Sequence, residues 1–210
     1  NIVTPNNPTN VQLQGISFLY PTTTTFTTTN VAPMIVLDKA QETEITQCNF
    51  YGNYDLGNTF AADVATAVSI RYNLEGKVGD SSNININKCV FNKLTHAVDV
   101  IDAVSNLKIN NNEFVNLDRP IRISKGLLTS QAAYGVTIAD NYFEKIYHEA
   151  IYVNATGTST NVISSNNIFR MDVGAGTSSG SLSYVTPVIT FKSVECTSLN
   201  DNFGRFTYVQ

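Results

Sequence analysis

An all-β chain, wound as a right-handed single-stranded parallel β-helix of about seven coils, is the fold class this sequence predicts. Three observations carry it: a strand pattern that recurs along nearly all of the 210 residues, a spacing between copies too short to hold a helix, and turn chemistry unlike that of hairpins.

The pattern is an aliphatic residue, a small or amide residue three positions on, and an aromatic or aliphatic residue five positions on. It fits Leu13-Ile16-Phe18, Ile45-Cys48-Phe50, Ile86-Cys89-Phe91, Ile109-Asn112-Phe114, Ile138-Asn141-Phe143 and Ile163-Asn166-Ile168. A seventh copy, Leu199-Asn202-Phe203, is one residue short. Two positions earlier, Val11, Thr43, Ile84, Leu107 and Val136 continue a period-two strand. A second strand opening on Pro or Ala follows each of the first six copies: Pro33 to Val36, Ala67 to Ile70, Ala97 to Val100, Pro120 to Ile123, Ala150 to Val153 and Pro187 to Thr190.

The closest copies, Ile86 and Ile109, are 23 residues apart, and the others differ by loops at the turns. That period suits one turn of a β-solenoid and excludes the helix of an ankyrin or leucine-rich repeat. A sandwich or propeller would need hairpins, and neither Asn-Gly nor Asp-Gly occurs. Stacking coils about 4.8 Å apart lays like on like. The Phe positions then form an aromatic stack. Asn112, Asn141, Asn166 and Asn202 form an amide ladder, which gives way to an apolar stack of Ile16, Cys48 and Cys89 in the first coils.

With 42% hydrophobic residues and no linker-like stretch, residues 1–210 read as one domain. Beginning without Met and ending on the strand-like Phe206 to Gln210, the chain reads as a segment of a longer one. Charged residues make up only 14%, so the polar surface is built from Asn, Thr and Ser. A net charge of −4 without a basic stripe argues against nucleic acid, and no apolar run of 18 residues argues for a membrane span. The three cysteines lack metal-ligand spacing and are expected as free thiols, and no cofactor motif is present.

The repeat resembles those of pectate lyases, polygalacturonases and phage tailspikes, over nearly the whole chain. The resemblance implies the parallel β-helix fold, a polysaccharide partner and, for the tailspikes, a homotrimer working with other tail proteins. The polygalacturonase motifs are missing: there is no Gly-His-Gly and no Asp-Asp pair, and Arg122-Ile123-Ser124 matches their Arg-Ile-Lys only in part. Clustered carboxylates for a calcium site of the pectate-lyase kind are missing too.

Long insertions at Arg71 to Asn83, Ser124 to Gly135 and Met171 to Tyr184 would wall a groove or meet a neighbouring subunit, and Thr22 to Thr29 reads as a solvated loop. Aligning the second strands on Pro or Ala sets Ser69, Asp99, Arg122, Tyr152 and Ile189 in one outward column, with His96, Arg119 and Glu149 beside it. An aromatic platform with carboxylates and Arg is what sugar hydroxyls need, so Asp99, Arg119, Arg122, Glu149 and Tyr152 are the carbohydrate-binding candidates. The competing reading of Asp99 and Arg122 is a cross-strand ion pair. As a catalytic pair, Asp99 and Glu149 would stand two rungs, about 9–10 Å, apart, near the upper limit for an inverting glycosidase. Asp102 is a third carboxylate, in the following turn. His96 and His148 precede second strands, at turn positions where an exposed polar residue is ordinary. The sequon Asn154-Ala155-Thr156 is short enough to arise by chance.

The function expected is that of a structural and receptor-binding β-helix in a phage tail spike or fibre, located in the virion and touching bacterial surface polysaccharide. The alternatives are a secreted polysaccharide depolymerase, hydrolase or lyase, and a bacterial cell-surface adhesin.

Overall fold

Alternation such as Ile84-Asn85-Ile86 and Leu107-Lys108-Ile109 turns every second side chain to one face of a strand. In the computed structural model the four aliphatic residues are buried, whereas Asn85 is half-buried and Lys108 exposed. The structure describes residues 2–3, 9–20, 32–53, 65–71, 81–101, 104–124, 133–170 and 188–204. In chain order the strands are β1 (Ile2–Val3), β2 (Gln12–Gln14), β3 (Ser17–Leu19), β4 (Ile35–Asp38), β5 (Gln41–Thr46), β6 (Asn49–Tyr51), β7 (Thr66–Arg71), β8 (Ser81–Asn87), β9 (Val90–Asn92), β10 (His96–Val100), β11 (Val104–Asn110), β12 (Glu113–Leu117), β13 (Ile121–Ser124), β14 (Tyr134–Ala139), β15 (Tyr142–Ile146), β16 (Ile151–Ser165), β17 (Ile168–Arg170), β18 (Ile189–Leu199) and β19 (Asn202–Phe203).

These strands wind as a parallel β-helix of seven coils with three parallel sheets. One sheet stacks β1, β4, β7, β10, β13, β16 and β18, and another stacks β2, β5, β8, β11 and β14 on the far parts of β16 and β18. β3, β6, β9, β12, β15, β17 and β19 form the third. Each coil thus contributes three strand segments, in keeping with the pattern, which requires at least two. In the last two coils the first two segments run together.

The aromatic column is Phe18, Phe50, Phe91, Phe114, Phe143, Phe169 and Phe203, with ring centroids 4.7–5.3 Å apart and near-parallel planes. The middle five are fully buried. Ile168 is therefore not a column member. It pairs with Tyr142 and points outward, 42% exposed. Coil six is set one residue later than its aliphatic residues suggest, because Ser164, and not Ile163, lies opposite Ile138 and fills the core position. Its hydroxyl is satisfied there by Asn167 and Asp201. With that shift the seventh copy reads Ser198-Asp201-Phe203 and is no longer short.

The same shift corrects the amide ladder, which is Asn112, Asn141 and Asn167, ending on Asp201. In each step the side-chain oxygen accepts the ladder residue's backbone N–H from the preceding coil: Cys89 to Asn112, Asn112 to Asn141, Asn141 to Asn167, and Asn167 to Asp201, all at 2.9 Å. The side-chain nitrogens donate back to the carbonyls of Ile86, Ile109 and Ile138. Asn202 lies in β19, and Asn166 is exposed in the left-handed region at φ 55°. Asn166 belongs to another column at that turn, Gly15, Gln47, Lys88, Asn111, Asp140, Asn166 and Asn200, all at positive φ. Asn and Asp tolerate this backbone better than branched residues. The N–H of each of the first six bonds to a carbonyl of the following coil, which holds the turn in place.

Cys48 and Cys89 are buried as expected, while Ile16 in the first coil is 37% exposed. The column is not simply apolar. The thiols of Cys48 and Cys89 donate to Leu13 and Ile45, the carbonyls that occupy the place of the amide-bonded ones, at 3.5 Å. Burial pushes the Cys89 thiol from 9.0 up to about 12, and burial likewise pushes the Tyr20 hydroxyl from 10.0 to about 12. Both groups hold a proton in the folded chain that the unfolded chain releases, so stability is complete below pH 9 and declines as pH rises toward 12. Urea midpoints measured from pH 8 to 11 should fall through that window, and Cys89→Ala with Tyr20→Phe should flatten the fall. A level profile in the unmodified protein would contradict these shifts.

Candidate functional site

The strand that turns Val98 and Val100 into the core must turn Asp99 the other way. In register beside it lie Ser69 on one side and Arg122, Tyr152 and Thr190 on the other, so four of the expected column residues share a row across successive coils. Ile189 does not belong to it: it pairs with Ile151, and Thr190 takes the place. The seventh coil again runs one residue later than an alignment on Pro187 implies. Val36 starts the row in the second coil.

Outward does not mean exposed here. Ser69 and Asp99 are buried, at 2% and 3%. The Arg122 guanidinium clasps Asp99 with two bonds, Nε to Oδ1 and Nη2 to Oδ2, each 2.7 Å. One coil on, Arg119 Nε donates to Glu149 Oε2 at 2.8 Å. In both pairs the carboxylate is the more covered partner, with side-chain exposures of 4% against 20% and 12% against 26%. The cross-strand ion pair read as the alternative for Asp99 and Arg122 is present, and it fastens the fourth coil to the fifth.

His96 is not an exposed turn residue. It opens β10 and is 2% exposed. Burial first, then the charges of Arg122 and Arg119, hold its imidazole well below the usual range, so it is neutral at physiological pH. His148 is half-buried and binds Asp118 through Nδ1. Asp102 lies outside the described residues, as do the Thr22 to Thr29 run, the Met171 to Tyr184 insertion and most of the other two insertions.

Tyr152 is half-buried and carries two cations. The Arg119 guanidinium stands 4.7 Å from its ring centroid, from the preceding coil, and the Lys192 ammonium 5.5 Å, from the following one. Lys192 was not among the sequence candidates. The signal for it was present: it pairs with Asn154, two residues beyond Tyr152, and becomes visible once the seventh coil is set in register.

Asp99 lies in the fourth coil and Glu149 at the start of the sixth, three residues before Tyr152, which shares the row of Asp99. Acid and base attack on a polymer needs carboxyl groups presented to it, and these two already hold guanidinium bonds. The row presents charge-assisted hydrogen-bonding groups and an aromatic face. A shallow depression of about 410 Å³ lies elsewhere, where Lys88, Asn111 and Asp140 form the turn beside Glu113 and Tyr142. Among the described residues no three His, Cys, Asp or Glu side chains converge as metal ligands. No protein-family model, curated protein or solved structure matches the chain.

Proposed function

We propose that this β-helix is a structural and receptor-binding part of a phage tail spike or fibre and contacts bacterial surface polysaccharide along its axis. The observation that supports this reading is the pair Arg122 and Tyr152 in one row, flanked by Arg119 and Lys192, over three successive coils. Groups repeated at about 4.8 Å suit an extended polymer of repeating units better than a compact metabolite. The stacked coils hold that row rigid, which lowers the entropic cost of binding. The phage setting and a trimer with other tail proteins come from the resemblance of the repeat.

Tyr152→Ala should weaken binding to isolated host polysaccharide about tenfold while the thermal midpoint stays nearly unchanged, since Tyr152 lies outside the core. Unfolding by this single change would make Tyr152 a packing residue instead. Asp99→Asn and Glu149→Gln discriminate the depolymerase reading: chain cleavage by the unmodified protein, lost in these variants, would establish an enzyme.

A further inference from the structure

We propose that the glycan bound at this row is acidic, with a carboxylate that seats between Arg119 and Lys192 over the edge of Tyr152. The inference rests on the polysaccharide reading above and specifies its ligand class. The chain as a whole carries a net charge of −4, yet the surface presented here is cationic. Asp99 and Glu149 are covered, and their charges are spent on Arg122 and Arg119. His96, buried nearby with Arg122 and Arg119 acting on it, is neutral. Lys192, exposed, adds a third cation to two carboxylates, and among the described residues it contacts the Tyr152 ring and no carboxylate.

Arg119 approaches the Tyr152 ring from the preceding coil and Lys192 from the following one, so an anion at the outer edge of the ring meets positive charge from both. Arg119 is equipped to bind it. A guanidinium has five N–H donors, and among the described residues only Nε of Arg119 is used, toward Glu149. Its terminal nitrogens keep the planar fork that matches a carboxylate bidentately. The Lys192 ammonium supplies a point charge from the next coil but one. A neutral sugar would leave both cations unneutralised, so discrimination between acidic and neutral glycans is built into the row.

The test uses the full chain with four polymers: polygalacturonate and alginate as carboxylate-bearing glycans, dextran as a neutral glycan, and polyphosphate as an anion without sugar. The expected result is binding of at least one carboxylate-bearing glycan, weakened about fivefold by Lys192→Ala, largely restored by Lys192→Arg, and reduced by raising salt from low to high ionic strength. Acylation of Lys192 by an amine-reactive ester should slow when that glycan is present. Dextran bound as tightly, with no effect of Lys192→Ala, would overturn the charge inference and leave the polysaccharide reading standing. Polyphosphate bound as tightly would reduce the row to a general anion patch. Binding to none of the four would count against both readings.

Discussion

Phe114→Ala should destabilise the protein by about 3–5 kcal/mol, measured as a fall in the urea or thermal midpoint. Phe114 is fully buried in the fourth coil, with the Phe91 ring 5.1 Å away on one side and the Phe143 ring 4.7 Å away on the other. Truncation removes its own buried area and both stacking contacts, each pair being worth about 0.5–1.5 kcal/mol beyond burial. It also leaves a ring-sized gap that the neighbouring coils cannot close, because every coil is tied by backbone hydrogen bonds to those above and below. In a solenoid each unit meets only its neighbours, so the loss is not shared through a larger core. The comparison is Phe203→Ala at the last described rung, where the ring is 49% exposed, has Phe169 5.3 Å away, and should cost only about 1 kcal/mol. Equal costs at the two positions would mean that the column is not the structural spine proposed for it.

Much of this architecture was legible because a parallel coil repeats its chemistry. Phe18, Phe50, Phe91, Phe114 and Phe143 were read in register, since each follows an aliphatic residue by five positions and both face inward. The reading failed at Ile163 and Ile168, where the aliphatic residues face outward and Ser164 faces in. A serine in a core row makes sense only once Asn167 and Asp201 are seen to bond it, and those partners are brought together by the fold. The error was a single residue, but with a side-chain period of two it exchanges the inner and outer faces. For the candidate site, the row Asp99, Arg122, Tyr152 was legible from alternation alone. Its burial was not, for alternation says which way Asp99 and His96 point and nothing about what lies over them. Arg119 stacking on Tyr152 was equally out of reach, since it depends on side-chain reach between coils.

The second large effect is expected at Asn141, the middle of the buried ladder. Its side-chain oxygen accepts from the Asn112 backbone N–H at 2.9 Å and from the Asn112 amide at 3.1 Å, and its nitrogen donates to Ile109 O at 2.8 Å and Asn167 Oδ1 at 3.0 Å. Asn141→Leu keeps the branched shape, with bulkier methyl ends, and removes all four. The Asn112 N–H and the Ile109 carbonyl then face an apolar side chain inside the coil stack, and an unsatisfied buried group costs about 1–3 kcal/mol, so a loss of about 2–4 kcal/mol is expected. Hydrogen exchange gives the local readout: the Asn112 amide should lose protection in this variant beyond what the lowered global stability explains. Asn141→Asp distinguishes acceptor from donor. Asp201 already shows a carboxylate taking the ladder N–H, so the Asn112 amide should stay protected while the donation to Ile109 is lost and the new charge faces Asn167 Oδ1. Asn166→Ala, one residue off the ladder and exposed at φ 55°, should cost only about 1–2 kcal/mol for the left-handed backbone and leave the ladder amides untouched. If Asn166→Ala instead exposed the Asn141 amide to exchange, the ladder would run through Asn166, and the register of the sixth coil would have to be moved back by one.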